Sequence, residues 1–379
     1  MPTETFAVPP PNLAVAVVGD VILDDNLTLG DLTREADMTT RATLAGWGSG
    51  LGGAGNVAAN AAGLGLPTAL VGMVGDDTNG GRLHGMARAK AGIAQMLFVC
   101  DGVTTPRKLR LYGRHGLNTR IDDEGPPVSY YATRRAAHPL LPTPAAVVRH
   151  LADSGVRVIC EVDHGKGFLL DDGTDVYPAS TLRRLVRSLG VPVIADPRPC
   201  DNWPYIPGAR VVLKMTHDQL NAVVGRPAGL EWDIPARDFP EAEQRRHFEA
   251  VRDEIRAGRL IHCDYLWLTY GRGGMSIGPL DGGWSAHVPA SLGPPVAVED
   301  IRIDPTGCGD TCTAVMAHAI ATRGYTAAAI VDGFLYANHA AGLAARHLGC
   351  HVLTRKTFEE VQRGVAEAED RLRVLAHVA

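Results

Sequence analysis

Residues 304–311 read Asp304-Pro305-Thr306-Gly307-Cys308-Gly309-Asp310-Thr311, and this stretch decides the predicted fold. The residues that follow, 312–323, carry apolar side chains at helical spacing, and Gly324 stands where that helix would end. The amides of Gly307, Cys308 and Gly309 should therefore lie at a helix N-terminus, where unpaired N–H groups and the helix dipole favour negative charge. The stretch thus predicts an anion hole that could hold a phosphate.

Asp310 lies at the mouth of this anion hole, where it would meet the group that attacks a bound phosphate. A base and a phosphate cradle in one turn indicate phosphoryl transfer to a hydroxyl. The alternative is structural: Asp310 only caps the helix, and the glycines only form the turn. A second glycine-rich stretch favours the chemical interpretation, and it reads Gly52-Gly53-Ala54-Gly55-Asn56-Val57-Ala58-Ala59-Asn60.

Together the two stretches resemble the two signatures of the PfkB (ribokinase-like) family of sugar kinases. These are a Gly-Gly-x-x-x-Asn turn on the sugar side and an Asp-x-x-Gly-x-Gly-Asp anion hole. Within the family, the sequence is most similar to the heptose-7-phosphate kinases of ADP-heptose synthesis, over about residues 13–355. The other segments that carry the likeness are Val18-Gly19-Asp20-Val21-Ile22-Leu23-Asp24, Lys108-Leu109-Arg110, Asp163-His164-Gly165-Lys166-Gly167 and Ala337-Asn338-His339-Ala340-Ala341-Gly342.

Strands and helices alternate regularly along the second half of the sequence, which predicts a parallel sheet with helices on both faces. The resemblance implies an α/β fold of the ribokinase-like three-layer α/β/α type, with a mostly parallel central sheet and a small β-sheet lid. We expect residues 1–12 to be a disordered tail and residues 13–379 to form the kinase domain. The lid would be built from about residues 25–50 and 96–125, and the second segment shows a period of two.

The resemblance also implies the reaction and its partners. We expect an ATP-dependent kinase that phosphorylates a sugar or sugar phosphate, with heptose 7-phosphate at its anomeric hydroxyl as the leading substrate. The implied cofactors are ATP and Mg²⁺, with a monovalent cation such as K⁺ as a further candidate, and the lid would form a homodimer. Many such kinases are fused to a nucleotidyltransferase with an H-x-G-H motif, which this sequence lacks, so nucleotide activation is expected to need another protein.

Candidate sugar ligands follow the first strand. The apolar run from Leu13 to Val18 should be a buried strand that delivers Asp20 and Asp24 at its carboxyl end, where open parallel sheets bind ligands. Carboxylates there can accept hydrogen bonds from sugar hydroxyls, which is the role the resemblance implies for Asp24. The alternative for both is a solvated loop acid. The resemblance adds three residues of the glycine turn to the substrate side: Gly52, Gly53 and Asn56.

Basic residues could bind a phosphate that the substrate already carries. Lys108 and Arg110 share one face of a predicted strand, and Lys166 lies between two glycines. Charges on an exposed edge strand can instead prevent aggregation, and Lys166 could be an ordinary loop lysine.

The resemblance implies that a third set of residues binds the nucleotide: Lys214, Thr216, Thr269, Gly271, Gly274 and Asn338.

The sequence departs from the family pattern at the expected Mg²⁺ site. Where the family has Asn-x-x-Glu, this sequence has Thr216-His217-Asp218-Gln219, so an amide replaces the glutamate that helps to hold the Mg²⁺ water shell. Because Mg²⁺ prefers carboxylate and phosphate oxygens, Asp218 or Asp196 would have to compensate, with Gln219 as a further metal candidate.

The composition argues against several other classes of protein. With 45% hydrophobic and 21% charged residues and a formal net charge of -5, the chain is typical of a globular protein whose main partner is not nucleic acid. Its seven cysteines form no C-x-x-C pair, which argues against a disulfide framework or zinc knuckle and fits a reducing cytoplasm. No run is apolar enough to span a membrane, so no membrane partner is expected.

Other functions stay open. The chain could be another PfkB-type kinase that phosphorylates a different sugar or a nucleoside. A kinase-like protein that binds sugar or nucleotide without catalysis is conceivable because of the Thr216 and Gln219 substitutions. A dinucleotide oxidoreductase is suggested by the G-x-G-x-x-G spacing of residues 48–53, although residues 41–47 look like a poor strand to precede it. The sequence contains no G-x-x-x-x-G-K-[ST] motif and no protein-kinase motif set.

Overall fold

The computed structural model describes residues 12–113, 116–127, 144–169, 186, 188–197, 210–216, 219, 241–258, 263–291 and 303–367. The predicted tail, apart from Asn12, lies outside these residues. The strands, in chain order, are β1 (Val15–Gly19), β2 (Val21–Arg34), β3 (Thr40–Gly53), β4 (Thr68–Gly75), β5 (Ile93–Cys100), β6 (Arg107–Gly113), β7 (Gly116–Asp123), β8 (Val158–Val162), β9 (Val193–Asp196), β10 (Val211–Thr216), β11 (Tyr265–Thr269), β12 (Met275–Pro279) and β13 (Ala286–Val288). The helices are α1 (Ala54–Gly63), α2 (Thr78–Ala89), α3 (Pro144–Asp153), α4 (Glu241–Gly258), α5 (Cys308–Arg323), α6 (Ala327–Ala344) and α7 (Arg355–Glu367).

Nine of the described strands form the central sheet, in the order β13-β12-β11-β10-β9-β8-β1-β4-β5. Every pair from β11 to β5 is parallel, and only the pairs that involve β12 and β13 are antiparallel. The carboxyl ends of the parallel strands therefore share one edge, at which open α/β sheets bind their ligands. The predicted mostly parallel sheet is confirmed.

Alternate residues of β1 enter two different cores. Val15 and Val17 pack with buried side chains of α1, α5 and α6, whereas Ala16 and Val18 pack with those of α3 and α4. A strand that is buried on both faces needs an almost continuous apolar sequence, and β1 has one. Helices thus cover both faces of the sheet, which confirms the three-layer α/β/α fold class.

The lid is a separate sheet of four strands in the order β3-β2-β6-β7. Its long strand β2 begins buried near Val21 and becomes exposed toward Arg34. The predicted lid boundary at residue 96 differs from the structure, because residues 96–100 belong to β5, which pairs in parallel with β4 in the central sheet. Residues 41–47, judged a poor strand from the sequence, are part of β3.

No helix within the described ranges is long and apolar enough to cross a membrane.

Candidate active site

Asp310 lies in the first turn of α5, directly behind the predicted anion-hole turn. Gly307 caps the helix with a φ of 76°, and a Cβ there would lie 2.6 Å from Asn56 Nδ2, so both conformation and space require glycine. Asp310 Oδ2 accepts a hydrogen bond of 2.9 Å from Asn56 Nδ2. The structure therefore joins the two sequence motifs, which are 254 residues apart, through one direct contact.

Burial raises the pKa of Asp310 to about 7, against the opposing effect of the hydrogen bond from Asn56. A carboxylate of ordinary acidity is a poor base at neutral pH, whereas a carboxylate with a pKa near 7 can accept a proton efficiently there. His164 Nε2 lies 3.9 Å from Asp310 Oδ1, and burial lowers the pKa of His164 to about 4, so the imidazole beside the carboxylate is neutral.

The amides of the predicted anion hole differ in their hydrogen bonding. The Cys308 amide donates to the carbonyl of Pro305 at 3.2 Å, and the Thr311 amide donates to the carbonyl of Gly307 at 2.9 Å. The amides of Gly307, Gly309 and Asp310 have no acceptor in the described part of the chain, as expected where a helix begins. Two of the three predicted amides, and that of Asp310, are therefore available to an anion.

Asp304 fixes the shape of this turn. Its carboxylate accepts hydrogen bonds from the Thr306 amide at 3.0 Å, the Gly349 amide at 2.7 Å and the Tyr112 hydroxyl at 2.6 Å. Tyr112 lies on lid strand β6, so the anion hole and the lid share a buried hydrogen bond. This role of Tyr112 could not be predicted, since nothing near it in the chain indicates a partner 192 residues away.

Asp24 is buried on β2 and forms an ion pair with Arg110 of β6. Its other oxygen accepts a hydrogen bond of 3.0 Å from the Cys350 thiol and lies so close to Gly52 that a Cβ there would collide with it. Arg110 is therefore neutralised by a buried partner and does not lie on an exposed edge strand, since β6 runs between β2 and β7. Sequence reasoning missed both this ion pair and Cys350.

Asp20 has a structural contact at each oxygen. It accepts backbone hydrogen bonds from His164, Lys166 and Phe168 at 2.8, 2.9 and 3.1 Å, and thereby holds the loop that follows β8. Burial, and then the nearby Asp163, raises the pKa of Asp20 to about 6. The predicted role in sugar binding would require Asp20 to share these oxygens with the substrate.

The lid also gathers positive charge. Lys166 forms an ion pair with Glu124, and Arg120 forms one with Asp122. Lys108 has no ion-pair partner within the described ranges, and burial lowers its pKa, although the charge of Asp24 opposes the shift. Lys108 is thus the candidate cation of this cluster whose charge is left for a ligand.

Lys214 lies beside the anion hole. It belongs to β10 itself and not to the segment after it, and its Nζ forms an ion pair of 2.5 Å with Asp196 Oδ2. A Cβ on Gly309 would lie 3.5 Å from Lys214 Nζ, so the ammonium group and the free amides face the same space. This combination of an ammonium group and helix N-terminal amides is suited to a phosphate.

The metal candidates are engaged otherwise. Gln219 Oε1 accepts from the Thr216 amide at 2.9 Å while Thr216 Oγ1 accepts from the Gln219 amide at 3.1 Å, which is the reciprocal pattern of a capping box. Asp196 is paired with Lys214, and Asp218 lies outside the described residues. Within those residues, no group of three or more His, Cys, Asp or Glu side chains could hold a metal ion.

The remaining nucleotide candidates lie beyond β10. Thr269 pairs with Thr216 at the carboxyl ends of neighbouring strands, and Gly274 has a φ of 95°. Gly271, with a φ of 57°, begins a short 3₁₀ turn between β11 and β12. Asn338 of α6 donates to the carbonyl of Pro289 at 2.8 Å. We propose these residues as nucleotide contacts.

The dinucleotide alternative loses its structural basis. Residues 48–53 lie inside β3, which pairs antiparallel with β2, so these glycines do not form a turn between a parallel strand and a helix.

Known proteins resemble this chain in sequence and in fold. No protein-family model matches the sequence. The chain is 29% identical over 366 residues to "Bifunctional protein HldE" of Nitrosococcus oceani, which covers 94% of this chain and 67% of the relative. It is 30% identical over 373 residues to the protein of the same name from Bradyrhizobium diazoefficiens, which covers 96% and 63%. The chain thus spans about two-thirds of the length of these relatives.

Solved structures show the same fold. Arabidopsis thaliana ribokinase, complexed with ribose and ATP, superposes with a TM-score of 0.61 at 18% identity, over 93% of this chain and 99% of the ribokinase. Escherichia coli phosphofructokinase-2, in complex with fructose-6-phosphate, gives a TM-score of 0.64 at 15% identity, over 94% and 100%. The chain therefore has the ribokinase-like fold of these sugar kinases. The predicted fold class is confirmed, and the predicted PfkB (ribokinase-like) family and carbohydrate phosphotransferase class agree with these relatives.

Proposed function

We propose that this chain transfers the γ-phosphoryl group of ATP to a hydroxyl of a sugar phosphate, with heptose 7-phosphate at its anomeric hydroxyl as the leading substrate. The observation that carries the proposal is the Asn56–Asp310 hydrogen bond beside the free amides of α5. This contact supports the proposal because a carboxyl of suitable pKa then lies between the turn proposed for the sugar and the amides proposed for the phosphate. Direct transfer needs little more than such positioning and charge stabilisation.

In this mechanism Asp310 accepts the proton of the acceptor hydroxyl, with its orientation fixed by Asn56. The amides of Gly309 and Asp310 donate hydrogen bonds to the moving phosphoryl group, and Lys214 balances its charge. The hydroxyl oxygen forms the new bond to phosphorus as the bond to the leaving ADP oxygen breaks. Because the transition state is loose, the proton leaves late, so the orientation of Asp310 matters as well as its base strength.

The described residues do not assemble a protein-held Mg²⁺ site, since Asp196 and Gln219 are already paired. Mg²⁺ usually keeps several waters and binds through substrate phosphates, so the ion would be held chiefly by the nucleotide. No step of the proposed transfer depends on a metal held by this chain.

Lys108 supports a substrate that already carries a phosphate. The surrounding arginine and lysine residues each have a carboxylate partner, whereas Lys108 has none in the described structure. The charge of Lys108 is therefore available to the phosphate of a substrate. Lys108 is paired with Asp24 on the neighbouring lid strand. The resemblance to heptose-7-phosphate kinases and the HldE relatives support the same substrate class.

The test is ADP release with a panel of sugars and their phosphates. We expect turnover with heptose 7-phosphate and much less with heptose that lacks the phosphate. Lys108→Met should raise the KM for the sugar phosphate by about 10-fold or more, because a charge-assisted hydrogen bond contributes about 1.5–3 kcal/mol, while the KM for ATP should change little. Lys356→Met, an exposed lysine on α7, is the matched control.

Two outcomes would contradict the proposal. Binding of sugar or ATP without ADP formation at any Mg²⁺ concentration would favour a non-catalytic, kinase-like binding protein. Turnover of an unphosphorylated sugar that is unaffected by Lys108→Met would remove the sugar-phosphate assignment.

We also propose a homodimer formed through the lid. Lid strands and the turn between β2 and β3 expose apolar side chains that a monomer would leave in water, among them Met38 at 68% and Trp47 at 63% exposure. The others are Leu32, Leu44 and Ile121. Analytical ultracentrifugation should give the dimer mass, and Leu44→Asp should shift it to the monomer. A monomer at micromolar concentration in the unaltered protein would contradict this assignment.

A further inference from the structure

Cys350 lies where three functional segments meet. Its Sγ donates a hydrogen bond of 3.0 Å to Asp24 Oδ2 on lid strand β2. A Cβ on Gly307 of the anion-hole turn would lie 3.4 Å from this sulfur, and one on Gly50 of β3 would lie 3.8 Å from Cys350 Cβ. The residue as a whole is partly exposed, while its thiol is enclosed by these segments.

The thiol completes the hydrogen bonding of Asp24. Arg110 holds Oδ1, and Cys350 holds Oδ2, so the two partners together fix the rotation of the carboxylate plane. Gly52 closes the space next to Oδ2, because any side chain there would overlap with it. Each carboxylate oxygen has two lone-pair sites, so Oδ2 can still accept a hydrogen bond from a sugar hydroxyl.

We propose that Cys350 is a positioning residue for sugar binding: its thiol orients Asp24 toward the substrate hydroxyl and ties this carboxylate to the anion-hole turn. The inference rests on the proposed function, because it takes Asp24 as the carboxylate that meets the sugar. Burial raises the pKa of Cys350 well above its usual value, so the S–H donor is present throughout the neutral range. No covalent step is involved.

Cys350→Ala removes the donor and leaves Asp24 Oδ2 without its partner. We expect the KM for the sugar phosphate to rise about 5-fold, the amount that corresponds to one hydrogen bond of about 1 kcal/mol, with kcat and the KM for ATP nearly unchanged. Cys350→Ser keeps a hydroxyl donor and should restore the KM to within about 2-fold of the unaltered protein. Cys263→Ala, at another partly exposed cysteine, is the matched control.

A double-mutant cycle with Asp24→Asn distinguishes positioning from a general packing effect. If Cys350 acts through Asp24, Cys350→Ala should have no further effect on the KM in the Asp24→Asn background. Equal effects in both backgrounds, or no rescue by serine, would overturn the inference while leaving the kinase assignment intact. Absence of ADP formation by the unaltered protein with every sugar phosphate would overturn both.

Discussion

Asp310→Asn is expected to lower kcat by about 10³-fold, because general-base catalysis contributes about 10²- to 10⁴-fold and an amide cannot accept the proton. The substitution is close to isosteric, and the amide oxygen can still accept the hydrogen bond that Asn56 donates at 2.9 Å. The KM values for sugar phosphate and ATP should therefore change by only a few-fold. ADP release under saturating substrates measures the effect.

The pH profile provides an independent check of the same base. Because burial raises the pKa of Asp310 to about 7, the carboxyl is protonated below that pH in the free enzyme and cannot accept a proton. The kcat/KM should accordingly rise as the pH increases through about 7, and this limb should be absent from the residual activity of Asp310→Asn.

Asp253→Asn, on the exposed part of α4, is the matched control and should retain full activity. If Asp310→Asn kept more than about a tenth of the kcat, proton acceptance by Asp310 would not be required for the reaction.

The helix N-terminal turn and its acid could be predicted because their signals are local. A glycine at the N-terminus of a helix, and an acid two or three residues later, are adjacent in the chain, so spacing alone brings them together. Gly307 and Asp310 follow this logic, and the structure places them in one turn. The apolar run of β1 likewise predicted a strand buried on both faces.

The partners of charged residues could not be predicted in this way. Arg110 pairs with Asp24, which is 86 residues away, and its sequence position is equally compatible with an exposed phosphate ligand. The same applies to the loop after β8, whose amides are held by Asp20 across more than 140 residues. Such pairs depend on strand order and register, which a single sequence specifies only through the complete fold.

The lid boundary illustrates the limit of pattern analysis. A period of two describes a strand without stating which sheet it joins, so residues 96–100 read equally well as lid or central sheet. The parallel pairing of β5 with β4 shows that these residues belong to the central sheet. The capping box of Thr216 and Gln219, by contrast, has a local Thr-x-x-Gln signature from which it could have been predicted. We interpreted these residues only as a departure from the family's Asn-x-x-Glu.

A buried acid in the lid, Asp25, gives the second large expected effect. It is fully buried on β2 and accepts hydrogen bonds from three side chains: Arg82 at 2.7 and 3.0 Å, Arg107 at 2.7 Å and Ser49 at 2.6 Å. Arg82 lies on α2, so Asp25 connects the lid strands to the central domain. Burial alone would raise its pKa, but the hydrogen bonds from Arg82, Ser49 and Arg107 outweigh burial and lower it to about 2.

Asp25→Ala is therefore expected to lower the free energy of unfolding by about 3 kcal/mol, the lower end of the range for breaking a buried ion pair, since both arginines can regain water. Urea unfolding followed by circular dichroism measures the loss, and Asp76→Ala, an exposed acid after β4, should change it by less than about 0.5 kcal/mol. Because the pKa of Asp25 is lowered from 3.8 to about 2, its contribution is present above pH 3.8 and is lost as the pH falls toward 2. The difference between the variant and the unaltered protein should narrow over that window. Two outcomes would mean that the charge of Asp25 does not hold the lid in place. One is a difference in the free energy of unfolding that stays constant with pH, and the other is a decrease in that free energy of less than about 1 kcal/mol at neutral pH.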